Sequence, residues 1–212
     1  MSQLTVACVL KSGGIYDASW VARLQAGVDR HMPFSHRFVC LTDMPVDCEA
    51  IDLEHDWPGW WSKIELFRPD LFIGPVLYLD LDSVVVGNLA HLIVNSGFCA
   101  MREPSTAGGI CSSTMAWSGD LSVIYRAFCE DPERHMHEWD EVRPGGRIGD
   151  QGFIMDVLNP RYVNCFPRMA APSYKHHCRK VLPSDAAVVA FHGRPKPFEC
   201  LSTHWVRENW RV

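Results

Sequence analysis

Pro75-Val76-Leu77-Tyr78-Leu79-Asp80-Leu81-Asp82 is the stretch on which the reading of this chain turns. Residues 75–81 carry the strongest strand signal in the sequence, a short run that is apolar almost without interruption. A strand apolar on both faces is one buried on both faces, as at the centre of a parallel sheet. Two aspartates one residue apart close it. In open α/β sheets the ligand crevice lies outside the carboxyl ends of the strands, so this run predicts two carboxylates at a cleft. Like charges that close repel unless a proton or a cation intervenes. Carboxylate oxygens suit Mg²⁺ and Mn²⁺, and Mg²⁺ is commonly held by one or two carboxylates together with substrate phosphates. Taken alone, Asp-x-Asp is a short pattern that also reads as a strand-ending turn with solvated aspartates.

Before this strand, Leu4–Leu10 is an apolar run ended by Lys11-Ser12-Gly13-Gly14, a buried strand entering a glycine loop. Residues 17–30 show helical spacing through Trp20, Val21, Leu24 and Val28. Strands are predicted at 37–41 and near 50–53. This alternation implies βαβ units and a mostly parallel sheet. An aromatic turn follows at 57–61, then a short helix at 62–68. After the acidic pair, strands are predicted at 96–101, 110–117, 162–166 and 187–191, and helices at 121–129 and 150–158. A polar, glycine-rich loop covers 143–149, and the tail 201–210 is tryptophan-rich and helical in pattern. No internal repeat, low-complexity segment or linker interrupts the chain, so one domain over residues 1–212 is expected.

Two later segments carry chemistry. Phe191-His192-Gly193-Arg194-Pro195-Lys196-Pro197-Phe198 follows an apolar strand, which puts His192 at a strand end. A neutral imidazole there can supply a third metal ligand; alone, it reads more simply as a hydrogen-bonded core or loop histidine. Gly193 allows close backbone approach, and Lys196 can reach phosphate oxygens as a point charge. Gly149-Asp150-Gln151-Gly152 opens a helix. Asp150 there is a helix cap, worth about 1 kcal/mol, or a group facing a ligand, and the two roles are compatible.

Composition bounds the rest. The chain has 212 residues, 47% of them apolar, enough for a compact α/β domain. A formal charge of −5 argues against a general polyanion binder, so no general nucleic-acid binding is expected. No run is long and apolar enough for a membrane span, and the first residues lack a basic, then apolar, signal pattern. A cytoplasmic protein is expected, with peripheral membrane contact left open. Nine cysteines, none spaced C-x-x-C, read mostly as reduced core residues; Cys8, Cys40, Cys99 and Cys165 lie in apolar runs. Trp57, Trp60 and Trp61 read as a packed corner, with Trp60 and Trp61 near the cleft. His135, His137, His176 and His177 lack finger-spaced cysteine partners and are expected at the surface.

The three segments 77–82, 150–151 and 192–197 resemble the GT-A glycosyltransferases, most closely glycosyltransferase family eight, the group of glycogenin and bacterial galactosyltransferases. That family has an apolar strand ending in Asp-x-Asp, a later Asp-Gln before a helix, and a C-terminal His-x-Gly-x-x-Lys-Pro. This chain has the same order at similar spacing, although here the C-terminal motif reads His192-Gly193-Arg194-Pro195-Lys196-Pro197. The resemblance implies an α/β, single-domain GT-A fold, a Rossmann-like domain with a mixed, mostly parallel central sheet flanked by helices. It implies Mn²⁺ or Mg²⁺ held by Asp80, Asp82 and His192. It implies nucleotide-sugar contacts from Val9, Lys11 and Gly13 after the first strand, from Lys63, Asp80, Leu81 and Ser113, and from Gly193 and Lys196 on the diphosphate. Asp150 and Gln151 are implied at the donor sugar and reaction centre. The activity implied is sugar transfer, with retention, from a nucleotide-diphosphate sugar (UDP being the commonest family donor) to an acceptor hydroxyl. One departure stands out: Cys111-Ser112-Ser113 replaces the family's Asn-x-Gly segment, which leaves the sugar open. The acceptor is not readable, although no large acceptor-binding extension is expected at this length.

Other readings remain at this stage. Asp150 also suits a general base for the acceptor hydroxyl. A haloacid-dehalogenase-like phosphatase would use Asp80 as nucleophile, but that family starts near its nucleophile strand and leaves 192–197 unexplained. A non-catalytic nucleotide-sugar-binding module would bind without turnover.

Overall fold

The computed structural model describes residues 3–144 and 147–212. In chain order its elements are β1 (Leu4–Leu10), α1 (Ala18–His31), β2 (His36–Thr42), β3 (Glu49–Asp52), a 3₁₀ helix (Gly59–Phe67), β4 (Val76–Leu79), β5 (Ser83–Val85), β6 (Gly97–Arg102), β7 (Ile110–Ser118), α2 (Ser122–Glu130), α3 (Pro132–Glu138), α4 (Gly149–Leu158), β8 (Val163–Cys165), β9 (Val188–Ala190) and α5 (His204–Asn209). Seven strands form one sheet in the order β3-β2-β1-β4-β7-β6-β8. The pairs β3–β2, β2–β1, β1–β4 and β6–β8 are parallel; β4–β7 and β7–β6 are antiparallel. The sheet is therefore mixed and mostly parallel, with the acidic strand β4 at its centre.

Period-two alternation sends the side chains of β1 and β4 to two cores. Val6, Cys8, Leu10, Leu77 and Leu79 pack against Trp20, Val21, Leu24 and Val28 of α1. Ala7, Val9, Val76 and Tyr78 face Ile64 and Phe67 of the 3₁₀ helix, Phe128 of α2, and Phe153 and Ile154 of α4. Each fully buried aliphatic or phenyl side chain contributes about 1.5–3 kcal/mol. Helix α1 starts where Asp17 accepts a hydrogen bond from the Ser19 amide at 2.8 Å, the N-cap geometry. Among the described residues no helix is long and apolar enough to cross a membrane.

Several sequence expectations need correction. The helix expected at 62–68 is a nine-residue 3₁₀ helix that begins at Gly59 and absorbs half of the aromatic turn. The strand expected at 187–191 does not join the main sheet: β9 pairs antiparallel with β5 in a separate two-stranded sheet. Strand β5 itself, three residues directly after Asp82, is too short to announce itself. Helix α3 is polar in sequence and held by its cap, Asp131 accepting from the Arg134 amide at 3.1 Å, with Pro132 at its start. A single π-helical turn, Tyr174–Cys178, was likewise unread. His135 is buried rather than at the surface, because α3 lays it against Phe128 and Phe153; His137 and His176 are exposed. Trp57 and Trp61 are core residues, so Trp61 packs away from the cleft that Trp60 lines. All nine cysteines are free; Cys8, Cys40 and Cys99 are buried, whereas Cys165 on the edge strand β8 is half-buried. The expected loop 143–149 includes Gly145 and Gly146, which lie outside the described residues.

Two ties fix the rim of the sheet. The Val86 and Gly87 amides both donate to the Ala187 carbonyl, at 2.9 and 3.1 Å, extending the β5–β9 contact. After β1, Asp43 at the end of β2 accepts from the Ser12 amide (2.8 Å), the Ser12 hydroxyl (2.6 Å) and the Lys11 ammonium (2.5 Å). Burial pushes the Asp43 carboxyl up, but these donors prevail and hold it down at about 2.

Two predictions follow from these ties. A Cβ at Gly87 would lie 2.5 Å from the Ala186 carbonyl oxygen, so Gly87→Ala should destabilise the fold by about 1–3 kcal/mol, read as a lower urea midpoint at unchanged slope. Asp43 has a depressed folded pKa, so the unfolded chain binds the extra proton as acid is added. The stability advantage of wild type over Asp43→Asn should be complete at neutral pH. It should shrink as pH falls from about 4 towards about 2, in urea titrations at stepped pH.

Candidate active site

A cleft of about 1070 Å³ opens at the carboxyl end of β4. Every site residue named from the sequence lines it: Val9, Lys11, Gly13, Lys63, Asp80, Leu81, Asp82, Ser113, Asp150, Gln151, His192, Gly193 and Lys196. A smaller cavity of about 290 Å³ lies at the amino end of β4, lined by Phe67, Gly74 and Trp117, and holds none of them.

Backbone bonds bring the distant segments together. The Asp80 amide donates to the Ser113 carbonyl of β7 at 2.9 Å, and the Ser83 amide to the Asp80 carbonyl at 3.0 Å, turning the chain after β4. Ser83 stands opposite Ala190 in the β5–β9 pair. One step further the Phe191 amide donates to the Asp82 carbonyl at 3.2 Å, which delivers His192 beside the acidic pair. Lys63 reaches in from the 3₁₀ helix. Asp150 and Gln151 stand in the first turn of α4, whose first residue, Gly149, has φ +57° and is held by its amide on the Trp139 carbonyl at 2.8 Å.

The electrostatics are those of buried charges in pairs. Asp80 accepts from the Tyr78 hydroxyl at 2.5 Å, and the Lys63 ammonium lies 2.8 Å away. Burial opposes its ionisation, but Lys63 prevails and its pKa lies below the ordinary carboxylate value. Asp82 is ion-paired with Lys196 and accepts from the Tyr16 hydroxyl at 2.9 Å. Its pKa is raised, because burial and the charge of Asp80 outweigh Lys196. Asp150 is also raised, by burial, with Lys63 acting against it. The Lys63 ammonium stands 3.7 Å from Asp150 Oδ2, an oxygen that has no hydrogen-bond partner. The Lys196 ammonium also donates to the Tyr16 hydroxyl at 2.7 Å. The His192 ring is held neutral, its pKa lowered to about 4 by burial and by nearby Lys175.

Whether these residues fit a cation can be judged from their chemistry. Asp80 and Asp82 offer hard oxygen donors and His192 an unprotonated nitrogen, a set that suits Mn²⁺ or Mg²⁺. Three carboxylates, Asp82 and Asp150 buried and Asp80 partly so, face the ammoniums of Lys63 and Lys196, and one Asp150 oxygen is left unpartnered. Among the described residues, however, no three His, Cys, Asp or Glu side chains are gathered into a ready coordination shell. Asp80 and Asp82 hold lysines, and His192 Nε2 shares a 2.7 Å hydrogen bond with the Ser173 hydroxyl. The structure thus brings the three residues to one cleft without closing them around a point.

Sequence reasoning missed several residues of the site. Tyr16 sits between Asp82 and Lys196 with no motif to announce it. Ser173 orients His192 from a segment that had no reading at all. Ser112, noted only as a departure, donates its amide to Gln151 Oε1 at 3.3 Å and accepts from Lys63 at 3.3 Å.

No family model and no curated protein sequence matches the chain. Solved structures do. The glycosyltransferase GlyE of Streptococcus pneumoniae TIGR4 aligns at TM-score 0.66 and 16% identity, over 99% of this chain and 61% of that one. The galactosyltransferase LgtC, solved with donor and acceptor sugar analogs, aligns at TM-score 0.63 and 14% identity, over 96% of this chain and 93% of that one. The bifunctional glycosyltransferase WbbM aligns at TM-score 0.63 and 12% identity, over 93% of this chain and 47% of that one. This chain therefore spans less than two thirds of GlyE and nearly all of LgtC, and what it shares with both is the GT-A fold.

Proposed function

We propose that this chain is a metal-dependent glycosyltransferase of the family-eight type, moving a sugar with retention from a nucleotide-diphosphate sugar, expected to be a UDP-sugar, to an acceptor hydroxyl. The observation that carries this reading is convergence. Lys196 and Asp82 are 114 residues apart in sequence and ion-paired in one cleft, and the Asp150-Gln151 segment opens onto the same space. The GT-A fold supports it independently.

In this reading the bond between the anomeric carbon and the diphosphate oxygen breaks, and the diphosphate keeps the electron pair. A bond forms from the acceptor oxygen to the same carbon, and the acceptor proton leaves to a base. Negative charge grows on the leaving diphosphate, where a preorganised cation stabilises the transition state more than the ground state. Lys196 is that cation from the chain, and Gly193, with φ +70°, keeps the backbone beside it free of a side chain. Lys63 holds Asp80 and lies near Asp150, so it sets the charge of both. Asp150, with its raised pKa, suits the proton-accepting role better than a solvated carboxylate would. Gln151, fixed by the Ser112 amide, presents its amide group towards the donor sugar. A Mn²⁺ or Mg²⁺ bound by Asp80, Asp82 and His192 would add Lewis-acid neutralisation of the diphosphate, worth several kcal/mol.

The phosphatase reading has no such support. It needs Asp80 as a nucleophile, and Asp80 is engaged by Lys63 and Tyr78. It also leaves His192 and Lys196 without work.

The test is a panel of nucleotide-sugars with Mn²⁺ or Mg²⁺, scored by thermal shift and nucleotide release. Excess chelator should abolish release, and full activity in chelator would refute the metal. Asp82→Ala would strand the buried Lys196 ammonium, a loss that costs about 3–5 kcal/mol, so Asp82→Asn is the cleaner probe. Asp82→Asn and His192→Ala should each lower release by about a hundredfold or more while the unfolding transition stays cooperative.

A further inference from the structure

Trp60 is the tryptophan of its turn that the core does not take. Trp57 and Trp61 are buried, whereas Trp60 is 50% exposed and lines the cleft. Its position is fixed from two sides. Gly59, at φ +54°, turns the chain before it. Gly149 makes room after it: a Cβ there would meet Trp60 Nε1 at 2.7 Å, with Cδ1 and Cε2 at 3.2 Å. The five-membered ring is thus laid on the backbone of the first residue of α4, immediately before Asp150 and Gln151. Pro58 and Ile148 line the same cleft.

The contact with Gly149 decides which ligand the indole serves. The nucleotide and diphosphate residues of the proposed function lie after β1 and along 193–196, and Lys63, three residues from Trp60 on the same 3₁₀ helix, is turned to Asp80 and Ser112. Trp60 instead touches the segment assigned to the reaction centre. A half-exposed indole there presents a flat, electron-rich face. A pyranose offers a matching face of C–H groups with its hydroxyls around the rim.

We propose that Trp60 is the acceptor platform of the cleft, stacking on the C–H face of a pyranose, so that the acceptor is a carbohydrate or glycoside whose reacting hydroxyl is presented to Asp150 and Gln151. This rests on the transferase reading and adds the acceptor class to it. Free and lipid-linked glycans present the same ring, and the test separates them.

The chain has eight tryptophans, so their indole N–H resonances can be followed in a ¹⁵N-labelled protein, with that of Trp60 assigned by its loss in Trp60→Phe. Methyl and octyl glycosides of glucose and galactose, lactose, and UDP with Mn²⁺ are titrated separately. The Trp60 resonance should move with at least one glycoside, and more strongly with the octyl form if the acceptor is lipid-linked. Trp60→Ala should weaken that glycoside about tenfold, and Trp60→Phe should restore most of it. The thermal shift by UDP and Mn²⁺ should stay unchanged in both variants. A resonance silent to every sugar overturns the proposal, as does one that answers UDP alone, which would make Trp60 a nucleobase platform. UDP binding with a silent Trp60 leaves the transferase reading standing; failure of wild type to answer any nucleotide-sugar of the panel brings down that reading itself.

Discussion

Three carboxylates, Asp82 and Asp150 buried and Asp80 partly so, line one cleft, and much of the architecture serves to make that tolerable. An unpaired buried charge is costly, and a buried pair is stable only when geometry and hydrogen bonds compensate desolvation. Compensation here comes from outside the acidic strand. Lys63 arrives from the 3₁₀ helix and Lys196 from the C-terminal segment, while the Tyr78 and Tyr16 hydroxyls satisfy further lone pairs. Neither the 3₁₀ helix nor the C-terminal segment can leave without stranding a charge. The opposite directions of the Asp80 and Asp82 pKa shifts follow from the same arrangement: two neighbouring carboxylates do not ionise alike.

This constraint explains why the C-terminal third is folded as it is. Strand β9 is only three residues long, and its sheet has only two strands, too little to be stable by ladder bonds alone. It is anchored by Val84, Val189, Phe191, Tyr174 and Val206 in a small core of its own, by the Ala187 carbonyl accepting from Val86 and Gly87, and by the Asp82–Phe191 bond. Those ties place His192 and, through the next turn, Lys196. The segment that brings His192 to the cleft therefore also brings the lysine that pairs with Asp82 of the acidic strand.

The sequence was legible where one physical rule dominates. A continuous apolar run announces a central strand, and β1 and β4 lie where that rule puts them. The Asp-x-Asp, Asp-Gln and His-Gly-x-x-Lys segments were readable because their residue types are costly to bury without purpose, and all three line the cleft. Legibility failed where tertiary context decides. Residues 83–85 form a strand only because 188–190 lie opposite. The 3₁₀ helix continues through Trp60 and Trp61 because its buried face is set by Phe128 and Phe67, not by a helical period of its own. His135 is inside because α3 packs against Phe128 and Phe153. Tyr16 and Ser173 act through single hydroxyl contacts, which no spacing predicts.

The departure at Cys111-Ser112-Ser113 acquires a physical meaning in this setting. Ser112 accepts from Lys63 and gives its amide to Gln151, so it links the lysine paired with Asp80 to the side-chain amide at the start of α4. Cys111 donates to the Ser113 hydroxyl at 3.2 Å, and the Ser113 carbonyl holds the Asp80 amide. Strand β7 thus contacts the acidic strand β4, Lys63 and α4 at once, through residues whose side chains are no larger than a thiol or a hydroxyl. In the transferase reading, a site that hydrogen-bonds a sugar hydroxyl discriminates strongly against sugars lacking it, because its buried polar groups are then left unpaired. Where the family has an amide side chain and a glycine, this strand has the Cys111 thiol and the Ser113 hydroxyl, which changes both the reach and the donor pattern of that wall. In that reading β7 is the wall that selects the donor sugar, and the Ser113 carbonyl ties it to Asp80.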